Sequence, residues 1–151
     1  MKLKLENIRD DIGEFIFLSM NLRRIKLSNI GLYSGQPIIL KLIEDNPGLS
    51  QKEFAELAQI SKPTLNVMLG RLQKNGLVEI KYDEKNSKIS KVYLTKDGKK
   101  KNEIAQKVLE DFEKMHYMDF TNEEEETFKR LLNKMCNNLE KELKEAGYEN
   151  N

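Results

Sequence analysis

Two helix starts and one helix stop lie close together in the middle of this chain, and their order leaves few folds open. Ser50-Gln51-Lys52-Glu53 has the form of a capping box, Ser at the N-cap and Glu three residues on. In that arrangement each side chain satisfies a backbone N–H that a helix start would otherwise leave open. Phe54, Leu57 and Ala58 give this first helix a short apolar stripe. After Gln59-Ile60, Ser61 can cap a second helix, and Pro63 is tolerated in its first turn. Leu65, Met68, Leu69 and Leu72 recur at i, i+3, i+4 and i+7, which makes one buried stripe. The opposite side carries Pro63, Asn66, Val67, Gly70, Arg71 and Lys74, with Lys62 and Thr64 at its edges. Asn75-Gly76 then stops the helix, because Gly accepts the left-handed backbone just past a C-terminus.

Past that stop the pattern changes to a hairpin. Leu77-Val78-Glu79-Ile80-Lys81-Tyr82 alternates as a strand, residues 83–88 form a polar turn-rich loop, and Ser90-Lys91-Val92-Tyr93-Leu94 returns. Two capped helices with a polar, basic outer face on the second describe a helix-turn-helix, and the trailing β-ribbon makes it a winged helix. The wing tip carries Lys85 and Lys88, flexible cations suited to a phosphate or the minor groove, with Asn86 and Ser87 able to add hydrogen bonds.

Charge is distributed to match. The whole chain is only +1, yet residues 50–102 hold 12 Lys/Arg against 6 Asp/Glu, while residues 103–151 hold 7 against 13. The basic balance therefore falls where a phosphate-facing lobe is expected, and the acidic segment should lie away from nucleic acid. At 151 residues the chain is long enough for a sizeable core. No apolar run approaches a membrane span, and the Lys-rich start lacks the apolar stretch of a secretion signal. A single cysteine, Cys136, excludes an intrachain disulfide and suits a reducing cytoplasm, so a cytoplasmic protein is expected. One histidine, His116, gives little support to a His-based metal site or a catalytic triad; at Met115-His116-Tyr117 it reads as a bend or cap. Glu123–Glu126 lacks the alternating oxygen ligands of a calcium loop, and no Gly-rich phosphate loop is present. No catalytic, metal or cofactor site is expected, and the chain does not read as an enzyme.

Helices flank the lobe on both sides. From Glu6 to about Lys26, Ile8, Ile12, Phe15, Ser19 and Leu22 form a stripe with Ile16 and Ile25 beside it. Ser34 can cap a helix through Asp45, ended by Asn46-Pro47-Gly48. Thr95 can cap a long helix to about Met115, and Thr121-Asn122-Glu123-Glu124 is a second capping box, opening a final helix with Phe128, Leu131, Leu132, Met135, Leu139 and Leu143. The expected fold class is mainly α with a small β-hairpin wing (α+β), a winged helix-turn-helix with N- and C-terminal dimerisation helices. One domain should span 1–151, with the winged-helix lobe at 34–100 and the helical dimerisation region at 1–30 and 101–148.

The run from about Ser34 to Lys100 resembles the MarR (multiple-antibiotic-resistance regulator) family of winged-helix transcription factors. The phrases LSQKEFAELAQISKPTLN, GRLQKNGLVE and VYLTKDGKK stand where that family carries its helix-turn-helix, its strand start and the wing exit into the next helix. Two positions depart from the pattern. Val67 stands where many relatives carry a polar or basic residue, leaving a group that could meet a thymine methyl. Asn86 and Lys88 (or Ser87, if the loop shifts by one) stand where relatives commonly show Asp and Arg, and Lys lacks the planar fork of Arg.

The resemblance implies a homodimer built by the first and last helices, with two recognition helices set on a near-palindromic double-stranded operator. It also implies a small ligand, often aromatic, bound between the dimer helices and the lobe, for which Phe15, Met20, Tyr33 and Gln36 are the candidate lining residues. Some relatives sense oxidants through cysteine, a role for which Cys136 is the one candidate. Beside Met135, near the apolar stripe of the last helix, that cysteine reads more simply as a small buried hydrophobe. On this reading the protein is a transcription regulator, more often a repressor than an activator. Base-edge contacts fall to Thr64, Asn66 and Val67 near the Ser61 cap, with Lys62 reaching base or backbone. Arg71, Lys74, Gln51 and Lys52 would position the protein on phosphates, and Lys85, Asn86, Ser87 and Lys88 would make the wing contacts. The other reading of the same exposed helix is a winged-helix module that binds protein, with Val67 at its centre.

Overall fold

The computed structural model describes residues 8–82 and 90–148. Six helices and two strands follow one another as α1 (Ile8–Ser28), α2 (Gln36–Asp45), α3 (Gln51–Leu57), α4 (Lys62–Lys74), β1 (Val78–Tyr82), β2 (Ser90–Leu94), α5 (Lys96–Met115) and α6 (Asn122–Glu145). The chain forms two compact units, residues 1–112 and residues 113–151.

The first unit is held by one apolar cluster. Leu27 and Leu32 enter it from the end of α1 and the turn after it, Leu40 and Ile43 from α2, Phe54 from α3, and Leu65, Leu69 and Leu72 from α4. Val78 and Val92 close it from the two strands, and Ala105 from α5. The strands pair antiparallel with Val78 opposite Leu94 and Ile80 opposite Val92. The segment before α3 adds a short third rung. Gly48 N–H donates to the Val92 carbonyl at 3.2 Å, Val92 N–H to the Leu49 carbonyl at 3.1 Å, and Ser50 bridges to Lys91. The hairpin is thus tied directly to the start of the helix-turn-helix.

Local chemistry explains the ends of these elements. Ser50 and Glu53 form the complete capping box, and Ser61 Oγ accepts the Thr64 N–H at 3.3 Å. Past α4, Gly76 takes φ 70°, its N–H donating to the Gln73 carbonyl at 2.9 Å while Leu77 N–H donates to Leu72 at 2.9 Å. This doubly bonded left-handed stop is the arrangement Gly favours. Thr95 caps α5: its Oγ1 accepts from Gly98 N–H at 2.9 Å and donates to the Gly76 carbonyl at 2.6 Å.

Several sequence expectations need correction. The N-cap of α2 is Gly35 rather than Ser34, because the Gln36 side chain reaches back to accept the Tyr33 N–H at 2.9 Å and no serine cap bond forms. In α3 the buried pair is Phe54 and Ala55; Leu57 is largely exposed at the helix end. Met68 is only half-buried, so the anchoring stripe of α4 is Leu65, Leu69 and Leu72. Leu77 and Val78 are both buried, which breaks the alternation where β1 begins. The cause is that Leu77 precedes the strand and its carbonyl accepts the Thr95 N–H at 3.1 Å.

The second unit contains α6, opened by a complete Thr121/Glu124 capping box. Before it, His116 N–H donates to the Glu113 carbonyl at 3.1 Å in the turn that ends α5. Tyr117, Phe120 and Phe128 then form an edge-to-face group, with Phe120 5.7 Å from Tyr117 and 5.9 Å from Phe128 between ring centroids. The stripe Phe128, Leu131, Leu132, Met135, Leu139 and Leu143 is between 41% and 64% exposed in the single chain. Cys136, expected as a small buried hydrophobe, is exposed on the same helix. No helix among the described residues is long and apolar enough to cross a membrane.

Among the glycines of the described residues, Gly98 has the closest neighbour. A Cβ placed there would lie 1.8 Å from the Leu77 carbonyl oxygen, a backbone atom that cannot swing aside. Gly98→Ala is therefore expected to destabilise the protein by about 2 kcal/mol or more, at the upper side of ordinary overpacking. A urea denaturation midpoint equal to that of the parent chain would contradict this close contact.

Candidate nucleic-acid interface

The face of α4 that turns away from the core begins at its cap. Ser61 supplies the capping oxygen, and its hydroxyl also lies 2.8 Å from the Thr64 hydroxyl. The two side chains hold each other at the N-terminus of the helix, where its dipole favours an anion. With Leu65, Leu69 and Leu72 buried, Lys62, Thr64, Asn66, Val67, Arg71 and Lys74 are all exposed. Val67 is 57% exposed, an apolar group in a polar face. The structure thus leaves the six expected residues of α4, and Ser61 at its cap, all exposed to solvent.

How α4 is presented depends on the turn before it. Ala58 ends α3, and Gln59 takes φ 52°, a left-handed backbone that a non-glycine residue rarely adopts. Gln59 N–H donates to Glu56 at 3.2 Å and Ile60 N–H to Ala55 at 3.2 Å, so two backbone bonds stabilise the reversal. Strain of this kind persists where the surroundings over-determine it. Here the buried Phe54 on one side and Leu65 on the other fix the angle at which α4 leaves α3.

The backbone-contact candidates sit at the start of α3. Gln51 is half-buried, and Lys52 is exposed, 4.0 Å from Glu56 across one helical turn. An exposed ion pair at that distance is worth little, so the ammonium stays available to a stronger anion. Glu53 accepts the Ser50 N–H at 2.9 Å, and the hydroxyl and then the backbone N–H of Ser50 hold its carboxyl below the ordinary value of 4.5. Lys85, Asn86, Ser87 and Lys88 lie outside the described residues. The base of the wing is visible: Lys81 pairs with Glu79 at 2.9 Å and stands 5.4 Å from the centre of the Tyr93 ring.

The four residues expected to line a ligand space are placed differently from one another. Phe15 and Met20 are exposed on α1, Tyr33 is 63% exposed on the turn before α2, and Gln36 is buried. The Gln36 Nε2 has no hydrogen-bond partner among the described residues. Sequence reasoning missed two features of this region. Arg71 stands over the Tyr33 ring, 5.4 Å from its centre, and Gly35 abuts the Met68 side chain. Neither pair is near in sequence, so no local pattern signals either contact.

Two predictions come from this geometry. Gly70, inside α4, has open space where a Cβ would stand, so Gly70→Ala should stabilise the free protein by up to about 1 kcal/mol through helix propensity. A lower thermal midpoint for that variant would contradict the open position. Because the Glu53 carboxyl titrates lower in the folded chain than in the unfolded one, its contribution to α3 is complete above 4.5. That contribution disappears as pH falls through the folded value. Protection factors of the α3 amides, taken against the intrinsic exchange rate at each pH, should fall on acidification in the parent and change less in Glu53→Gln, which keeps the cap without the titration. Equal acid sensitivity in the two would contradict the assignment.

Known proteins resemble the chain in sequence and in fold. A family model described as the MarR family matches residues 30–88. The chain is 28% identical over 138 residues to the HTH-type transcriptional regulator YybA of Bacillus subtilis, spanning 91% of this chain and 92% of that one. It is 31% identical over 102 residues to the transcriptional regulator HosA of Escherichia coli, spanning 68% of this chain and 76% of that one. Among solved structures, a mutant of Staphylococcus aureus MepR superposes with a TM-score of 0.79 at 21% identity, covering 89% of this chain and 99% of that one. Another MepR mutant, bound to an oligodeoxyribonucleotide, gives 0.63 at 23% identity over the same shares. At these identities the structures establish the winged-helix fold.

Proposed function

The chain belongs to the MarR family of transcriptional regulators, and we propose that it works as a homodimer that reads a near-palindromic double-stranded operator through α4. It is a regulator and not an enzyme, as are the relatives it matches. The observation that carries the proposal is the one-sided burial of α4. Leu65, Leu69 and Leu72 are at most 1% exposed, whereas the polar and basic residues between them face solvent. A helix held this way can enter a major groove without disturbing the core.

Roles follow from position. Thr64, Asn66 and Val67 lie in the first two turns, where a recognition helix meets base edges, and Lys62 reaches base or backbone from the first. Asn66 can address adenine through paired hydrogen bonds, and Val67 a thymine methyl. Arg71 and Lys74, further along, and Gln51 and Lys52, at the start of α3, would register the protein on phosphates. The wing tip at Lys85–Lys88 would add cationic contacts beside them.

Dimerisation is supported by apolar surface that a monomer would leave wet. Ile8, Ile12, Phe15, Ile16, Leu22 and Ile25 are exposed on α1, as is the α6 stripe within its own unit. Contiguous exposed apolar surface of this kind marks an interface. Burying the two helices against a second copy gives a two-fold assembly whose half-sites lie about one helical turn apart. The protein bound to an oligodeoxyribonucleotide in the MepR structure offers a precedent for the fold on DNA. Residues 34–100 would form the DNA-binding lobe, with 1–30 and 101–148 supplying the dimer. We assign the protein to repression in the cytoplasm, with release by a small aromatic effector that shifts the spacing of the two lobes.

The test is base preference. In selection from randomised duplexes, Asn66→Ala should flatten the preference at one base pair of each half-site, weakening the best site by about 1–3 kcal/mol. An unchanged ranking of selected sites would remove Asn66 from the base-reading role.

A further inference from the structure

Arg71 is the one guanidinium on the exposed face of α4; the other cations of that face, Lys62 and Lys74, are lysines. Its side chain does not hang free. The guanidinium carbon stands over the Tyr33 ring, 5.4 Å from the centroid, within the range of a cation–π contact. Tyr33 is itself 63% exposed, so its ring is not there to fill the core.

The backbone of Tyr33 is tied down from both sides. Its N–H donates to Gln36 Oε1 at 2.9 Å, and its carbonyl accepts the Gln36 N–H at 2.9 Å. Gln36 is only 2% exposed and acts as the anchor of the turn. Two residues on, Gly35 approaches so closely that an added Cβ would lie 2.7 Å from the Met68 methyl carbon. Met68 precedes Arg71 by three residues, so the two occupy one flank of α4. The turn before α2 therefore lies along α4 at two successive points, with Met68 against glycine and Arg71 against an aromatic face.

We propose that Tyr33 is a positioning residue for DNA binding, its ring holding the Arg71 guanidinium at the edge of α4 to engage a backbone phosphate. This rests on the proposed reading of the chain as a DNA binder. The chemistry is compatible with both partners at once. A guanidinium meets an aromatic ring through its flat face, and its N–H donors point outward in its own plane. Those edge donors match a phosphate in a fork geometry. A free arginine loses rotamer freedom on binding, whereas one already held over a ring has lost part of it beforehand. Lysines at 62 and 74 gain nothing comparable, since a point charge on a flexible stem has no preferred face.

The experiment uses the full chain and a labelled mixed-sequence duplex about three helical turns long, titrated by anisotropy from about 50 to 200 mM salt. Arg71→Ala should weaken binding and flatten the logarithmic salt slope by about one per subunit engaged. Tyr33→Leu should weaken binding about two- to five-fold per subunit, with far-ultraviolet circular dichroism unchanged. Tyr33→Phe should restore parental affinity, because the ring and not the hydroxyl carries the contact. In an Arg71→Ala background, Tyr33→Leu should have no further effect. Parental affinity for Tyr33→Leu, or an equal loss with and without Arg71, would overturn the positioning role while leaving DNA binding intact. A Tyr33→Phe variant as weak as Tyr33→Leu would also overturn it. Parent protein that ignores the duplex would overturn the DNA-binding reading and this inference together.

Discussion

Three leucines behind α4 make everything in front of it available. Leu65, Leu69 and Leu72 sit in the core with Phe54, Leu40 and Val92, and they are what fixes the rotation of the helix about its own axis. At roughly 1.5–3 kcal/mol for each fully buried leucine, they outweigh any single capping or ion-pair contribution in the lobe. The Ser61 cap sets where the helix begins and Gly76 where it stops. Between those limits the polar face stays out of the core, with Thr64 held by the Ser61 hydroxyl and Arg71 held over the Tyr33 ring. None of its side chains is needed to fill the core, so the face can be shaped by what it touches outside the protein.

The surroundings of α4 are built to the same end. The left-handed Gln59 turn sets the angle to α3, the Leu49–Val92 bond ties the hairpin to the helix-turn-helix, and Thr95 ties the start of α5 to the end of α4. A polar chain links α2 to α5: Asn102, fully buried, donates to Glu44 at 2.6 Å and accepts from Gln106 at 2.9 Å. Lys101 adds a bond to the Ile30 carbonyl at 2.9 Å. Buried polar groups satisfied in this way specify one arrangement of elements more sharply than apolar contact does. The position of α2 on α5 is thereby defined.

Much of this was legible in the residues alone, for a physical reason. Caps at Ser50, Ser61, Thr95 and Thr121 are made by side chains three residues from their backbone partners, so the whole interaction lies within one turn of sequence. The α4 stripe is similarly local, and its period gave both the buried and the exposed face. Where the reading failed, another contact took precedence, in one case from a distant part of the chain. Ser34 lost the cap to a turn that Gln36 closes, Ala55 displaced Leu57 at the core, and the strand alternation yielded at Leu77 to the bond from Thr95. Gly98 carries no local signal of its close approach to the Leu77 carbonyl. The pairing of Tyr33 with Arg71 joins residues far apart in the chain, and only the folded lobe brings them together.

The central claim is that paired copies of this chain set their exposed α4 faces into successive major grooves of one duplex. Methylation-protection footprinting of guanine N7, a major-groove atom, on the tightest-binding duplex selected from a randomised pool reads this directly. The account predicts two protected patches on one face of the duplex, related by a two-fold axis and about one helical turn apart. Protection confined to a single patch, or none at protein concentrations that saturate the duplex, would contradict it.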